Sequence, residues 1–154
     1  LRSEKAVEAI YEIKKRDGHK PLAILCASIE DVKSLVQDAD VVEPYASTYW
    51  PGALTLIVPK SEMVPDYVTS GLSSVGVRIP NDEVALQILR RFGPMAVTSL
   101  NLSTEPPITK YKDVLHYLGV VDYIVEGTDL NGISSTVFDP VSKKVFRQGD
   151  ITIT

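Results

Sequence analysis

A lone cysteine, only two histidines and the lack of any long apolar run set the first limits on this sequence. Cys26 by itself cannot close a disulfide within the chain, and a thiolate metal cluster would have no second thiol. It sits in the run Leu22-Ala23-Ile24-Leu25-Cys26 and reads as core. His19 and His116 are far apart, without the spacing of paired metal ligands, and read as surface or turn residues. A membrane-spanning helix needs about 18 or more consecutive apolar residues, and no stretch approaches that. The start, Leu1-Arg2-Ser3-Glu4-Lys5, does not resemble a secretory leader, so the expectation is a cytoplasmic protein with no membrane partner.

A surplus of positive charge is also lacking. The formal net charge of −4 excludes a broadly basic surface that holds nucleic acid by counterion release alone, so any RNA contact is local. Neither a G-x-x-x-x-G-K-[ST] loop nor a G-x-G-x-x-G turn is present, which removes the P-loop and Rossmann devices for nucleotides. No Ser-His-Asp or paired-carboxylate grouping stands out and no catalytic acid, base or nucleophile is assigned. An enzyme built from these residues would work by positioning and electrostatics.

What is present is the composition of one soluble globular domain: 154 residues, 44% hydrophobic and 23% charged. Ser3 caps a predicted helix with apolar positions Ala6, Val7, Ile10, Tyr11 and Ile13, ended by Asp17-Gly18. Short strands are predicted at Leu22 to Cys26, Ala53 to Val58, Ser74 to Ile79, Met95 to Ser99 and Tyr123 to Val125. Helices are predicted from Ser28 to about Val36, through Val42 to Tyr49, after an Asn81 cap until Gly93-Pro94, and from Tyr111 to Leu118. The end reads as a hairpin of Thr136-Val137-Phe138 and Lys143 to Phe146 across the turn Asp139-Pro140-Val141-Ser142. Alternating strands and helices closed by a hairpin predict an α/β sheet of mixed direction.

Polar residues gather where the predicted strands end: Arg78, Ser99 with Asn101, and Ser135. Ligands of open α/β sheets collect at strand ends, and guanidinium forks match phosphate and carboxylate oxygens. The basic cluster Lys14-Lys15-Arg16 with Lys20 lies at the exit of the first helix, where it could equally be a solvated helix end.

Six segments in one order resemble those of YrdC-like domains, the fold of threonylcarbamoyl-AMP synthases. Lys14-Lys15-Arg16 with Lys20-Pro21-Leu22 looks like K-x-R-x-x-x-K-P-L, and Trp50-Pro51-Gly52-Ala53-Leu54-Thr55 like W-P-G-P-x-T. Ser74 to Pro80 resembles T/S-V-x-V-R-x-P, and Ser99-Leu100-Asn101-Leu102-Ser103 stands for S-A-N-x-S-G, with Thr104 at the glycine. Ser135 to Asp139 resembles S-T-V-V-D, and Arg147-Gln148-Gly149 resembles R-x-G. The resemblance implies a twisted open mixed sheet with helices, and one YrdC-like domain over residues 1–154. That domain starts after the family's N-terminal strand and its P-T-[DE]-T-V-Y-G-L segment.

The resemblance further implies an enzyme, a nucleotidyltransferase that forms threonylcarbamoyl-AMP and pyrophosphate from threonine, bicarbonate and ATP for modification of adenosine 37 in tRNA. It assigns Arg16, Lys20, Ser74, Asn101, Thr109 and Arg147 to ATP, and Arg78, Ser99 and Ser135 to threonine. Lys14, in the same segment as Arg16 and Lys20, supports the phosphate site. No residue is assigned as a metal ligand, and magnesium is expected to arrive on the ATP oxygens. Partners implied are tRNA or double-stranded RNA and other proteins of tRNA threonylcarbamoylation. Two alternatives stand beside the synthase: a YrdC-like paralogue that only binds nucleotide or RNA, and the carbamoyl-transfer domain of hydrogenase maturation proteins. Leu100, Thr104 and Ala53 depart from the family's alanine, glycine and proline, and predict a reshaped loop after Ser99.

Overall fold

A computed structural model describes residues 1–15, 17–18, 20–102 and 104–154; Arg16, His19 and Ser103, and the role expected of Arg16, lie outside them. The first helix, α1 (Glu4–Lys14), is capped by the Ser3 hydroxyl, which accepts from the Ala6 amide at 3.2 Å. Strand β1 (Ala23–Leu25) follows, then α2 (Ile29–Leu35) capped by Ser28, and α3 (Glu43–Tyr49) with a proline in its first turn. Strand β2 (Leu54–Pro59), the one-turn helix α4 (Asp66–Thr69) and β3 (Ser74–Arg78) come next. Then α5 (Glu83–Phe92) leads into β4 (Met95–Val97). The chain finishes with α6 (Tyr111–Val114), a 3-10 turn (Leu115–Tyr117), β5 (Thr136–Asp139) and β6 (Lys144–Arg147).

The six strands form one sheet in the order β4-β1-β3-β2-β5-β6. Strand β1 runs parallel to β3 and β2 parallel to β5, while the other neighbours are antiparallel, so the mixed α/β sheet expected from the sequence is what forms. Alternation along each strand divides the sheet into two faces. Ile24, Leu54, Leu56, Val58, Val77 and Phe138 share the buried face, where they join Val32 of α2, Val68 of α4 and Leu86 of α5 in one core. The opposite face carries Ala23, Leu25, Thr55, Ile57, Gly76, Arg78 and Val137, most of them only partly buried. A helix-covered face and an open face therefore alternate residue by residue.

Several expectations are corrected. The helix cap before α5 is Asp82 rather than Asn81, because the Asp82 carboxylate accepts from the Ala85 amide at 2.8 Å. The helix expected over Tyr111 to Leu118 narrows after Val114 into a 3-10 turn, and α4 is a helix too short for periodicity to reveal. Met95 to Ser99 pairs only as far as Val97. The strand expected at Tyr123 to Val125 is absent: these residues meet no sheet edge, and Tyr123 stands 82% exposed. The turn before β6 is as expected, with the Asp139 carboxylate accepting from the amides of Val141 at 2.8 Å and Ser142 at 3.1 Å.

Candidate functional site

The open face of the sheet gathers the polar residues into two groups at opposite ends of the strands. At one end, β3 finishes with Arg78, β2 begins, β5 is entered from Ser135 and β6 leaves with Arg147. At the other end, β3 begins with Ser74, the chain leaves β4 toward Ser99, and α1 delivers Lys14. Ser74 and Arg78 are four strand steps apart on the same face, about 13 Å.

The Arg78 end is built by close backbone approach. The Trp50 indole N–H donates to the Leu54 carbonyl at 2.7 Å, and the Gly52 amide donates to the Ile79 carbonyl at 2.9 Å. These bonds aim the Gly52 carbonyl at Arg78, whose Nε donates to it at 2.8 Å. Gly52 has no room for a side chain, since a Cβ there would lie 2.3 Å from the Tyr49 carbonyl oxygen. Arg147 bridges to the entry of β5: Nε donates to the Ser135 carbonyl at 3.0 Å, and one terminal nitrogen donates to that carbonyl at 2.9 Å and to Ser135 Oγ at 3.1 Å. Ser135 Oγ in turn shares a 3.0 Å hydrogen bond with Thr55 Oγ1. The adjacent Thr136 is fully buried and accepts from the amides of Gly149 at 3.0 Å and Ile151 at 3.2 Å, which folds the segment after β6 back over this corner.

Arg78 and Arg147 are close enough to feel one another. Burial lowers the Arg78 pKa from its ordinary value, and the positive charge of Arg147 lowers it further. Among the described residues, neither guanidinium pairs with a carboxylate. A half-buried Arg78 and an exposed Arg147 beside two hydroxyls make a place where an anion's oxygens would be welcomed.

At the other end Lys14 is buried, at 3% exposure. Its ammonium donates to the Ser99 carbonyl at 2.5 Å and to Asn101 Oδ1 at 2.5 Å. Ser99 Oγ also donates to Asn101 Oδ1 at 2.8 Å, and Asn101 Nδ2 donates to the Glu105 carbonyl at 2.6 Å. Lys14 thus fixes the loop after β4 from beneath. Lys20 is exposed just after α1, with its carbonyl accepting from the Tyr11 hydroxyl at 2.6 Å. Thr109 is half-buried beside the loop of residues 127–134, where its carbonyl accepts from the Leu130 amide at 2.8 Å.

The structure therefore joins Lys14, Ser99 and Asn101 in one network and Arg78, Arg147 and Ser135 in another. Arg78 and Ser99, both expected at threonine, sit toward opposite ends of the strands, and Arg147 lies beside Arg78 rather than with Asn101. Sequence reasoning gave no role to Thr55, Gly52 or Gly149. The signal was available for Thr55, a polar residue between Leu54 and Leu56 whose neighbours must face the core. His116 is exposed, as expected, and Cys26 is buried with its thiol pushed up to about 12 by burial and then by the Asp31 carboxylate. No group of three or more His, Cys, Asp or Glu side chains suited to a metal occurs among the described residues, and no helix described is long and apolar enough to cross a membrane.

Known proteins share this fold. A threonylcarbamoyl-AMP synthase of Pyrococcus abyssi is 39% identical over 140 residues, covering 88% of this chain and 41% of that protein. The synthase of Yersinia enterocolitica is 30% identical over 152 residues, covering 96% of this chain and 80% of its own length. The crystal structure of Pyrococcus abyssi Sua5 complexed with L-threonine superposes with a TM-score of 0.89 at 37% identity, over 96% of this chain and 45% of that one. The chain thus spans less than half the length of its Pyrococcus relative. The family model Sua5/YciO/YrdC, described as telomere recombination, matches residues 1–149, and the chain belongs to that family.

Proposed function

We propose that this chain is the catalytic YrdC-like domain of an L-threonylcarbamoyladenylate synthase acting in cytoplasmic tRNA modification. The observation that carries the reading is the pair Arg78 and Arg147, unpartnered by carboxylate among the described residues, at one end of an open sheet face. A second polar group built by Lys14, Ser99 and Asn101 closes the other end. A face about 13 Å long between two polar ends suits an amino-acid adenylate better than a single small anion.

In this reading the threonine amine takes up bicarbonate to give a carbamate and water. A carbamate oxygen then attacks the α-phosphorus of ATP, and pyrophosphate leaves. Among the described residues of the site, the Ser99, Ser135 and Thr55 hydroxyls bond to an amide, a guanidinium and each other rather than to a histidine or carboxylate base, so the protein contributes alignment and charge. Of the three residues expected at threonine, Arg78 and Ser135 share one end of the face and are assigned to threonine and its carbamate, and Ser99 lies toward the other end. Arg16, Lys20, Ser74, Asn101, Thr109 and Arg147 are assigned to the nucleotide, with magnesium carried on its phosphate oxygens. Arg147, at the same end of the face as Arg78, would stabilise the phosphorus centre as the carbamate attacks. The product passes to proteins that transfer the threonylcarbamoyl group to tRNA.

The test is pyrophosphate release by the full-length protein, with threonine and bicarbonate omitted in turn. Release that requires both is expected. ATP or RNA binding without threonine-dependent release would replace the synthase with the binding-module reading.

A further inference from the structure

We propose that Thr55 is a positioning residue that aims the Ser135 hydroxyl proton at the bound substrate, an inference that rests on the synthase reading of this face. Thr55 is only 7% exposed yet lies on the open face, one residue out of phase with Leu54 and Leu56 of the core. Its branched Cβ divides two tasks. The methyl faces β3, where a Cβ built on Gly76 would lie 3.3 Å from it, and the hydroxyl faces Ser135 at 3.0 Å.

Ser135 Oγ has two lone pairs and one proton. Arg147 donates into one lone pair at 3.1 Å. In this arrangement Thr55 fills the second by donating across the 3.0 Å contact, in which either hydroxyl could give the proton. The Ser135 proton then has no acceptor left in this cluster and is committed to whatever oxygen lies on the open face. Thr55 and Ser135 are almost equally buried, at 7% and 9% exposure, so position decides: the opposite arrangement would leave the spare proton on Thr55 inside β2 with strands on both sides, whereas Ser135 stands at the entry to its strand. A serine alone could rotate its hydroxyl into several directions. With Thr55 and Arg147 both donating to it, it is held as a donor facing the ligand, beside the Arg78 and Arg147 guanidiniums.

The experiment is a double-mutant cycle on the full-length protein, read by kcat/KM for threonine in pyrophosphate release and by calorimetric binding of pyrophosphate. Thr55→Val keeps the shape and removes the hydroxyl; it is expected to lower kcat/KM about tenfold, the loss of one well-aligned bond to a charged group. Thr55→Ser restores the donor and should stay within about twofold of wild type, and Thr55→Val should change Ser135→Ala by no more than about twofold. Thr55→Val acting equally in both backgrounds, or not acting at all, overturns the inference. Should Thr55→Val fail to fold, Thr55→Ala carries the same cycle. If the wild-type protein releases no threonine-dependent pyrophosphate, the synthase reading fails by itself, and the cycle in pyrophosphate affinity still decides the role of Thr55.

Discussion

Replacing Gly149 by alanine tests whether the Arg147 corner is built by backbone contact. A methyl on Gly149 would lie 2.2 Å from the Ser134 carbonyl oxygen, 2.4 Å from the Ser135 carbonyl carbon and 2.6 Å from its oxygen. These are backbone atoms at the entry to β5, so no side chain can rotate away and the segment after β6 must lift. Lifting it stretches the Gly149 amide bond to Thr136 Oγ1 at 3.0 Å, the Asp150 amide bond to the Ser134 carbonyl at 3.1 Å, and the Arg147 fork on Ser135. With the fork counted as one, three such contacts at roughly 0.5 to 1.5 kcal/mol each give about 1.5 to 4.5 kcal/mol. For a chain of this length that corresponds to a fall in Tm of about 5 to 15 °C. Thermal unfolding followed by circular dichroism measures it. Gly127→Ala is the control, since Gly127 has nothing within 4 Å of a built Cβ and should leave Tm unchanged. A Gly149→Ala protein with wild-type Tm and wild-type pyrophosphate affinity would refute the close approach.

Two further outcomes follow from buried groups. Cys26, with its thiol pushed up to about 12, should resist thiol reagents at pH 8 in the folded protein and react at once in denaturant, as a colorimetric thiol assay would report. Lys14→Met should lower stability by about 1 to 3 kcal/mol and weaken ATP binding measured by calorimetry, because the Ser99 carbonyl loses its buried donor and the Asn101 loop its anchor; unchanged values would remove Lys14 from a supporting role.

The sheet was legible because its strands carry their own signal: the runs around Leu56 and Val77 alternate core and face, and proline or glycine marks their ends. What was not legible lay where local pattern and tertiary partner disagree. Tyr123 to Val125 has strand-like residues, but pairing needs a neighbour, and this segment pairs with neither edge strand, β4 or β6. The four residues of α4 are below the length at which a helical period exists. Within the site, the ordered segments pointed to Arg78, Ser135 and Arg147, yet the sequence did not say that the three meet. Their meeting depends on the register that places Val137 opposite Arg147 and Thr55 opposite Val137, a fact of pairing rather than of spacing. Thr55 shows itself only as a polar residue between two core leucines, and Gly149 acts through the backbone that touches it, so neither role is readable from the sequence alone.

The proximity of Arg78 and Arg147 has a consequence for stability that pH cannot reveal but an anion can. Burial and the neighbouring charge both lower the Arg78 pKa, so its charged form is disfavoured in the folded state. An arginine stays protonated through any ordinary pH range, so the cost is present throughout and titrates nowhere near neutrality. A polyanion bound between the two guanidiniums relieves it and binds only the folded chain. At tenfold excess over its Kd such a ligand stabilises by about 1.4 kcal/mol. Pyrophosphate should therefore raise Tm by about 3 to 6 °C, beyond any shift caused by sodium chloride at equal ionic strength. Arg78→Gln and Arg147→Gln each remove one arm of the pair, and each should abolish the pyrophosphate-specific rise whatever it does to the Tm of the free protein. If Arg147→Gln retains the full rise, the two guanidiniums do not share an anion, and the alignment of carbamate and phosphate at this end of the sheet must be sought elsewhere on the face.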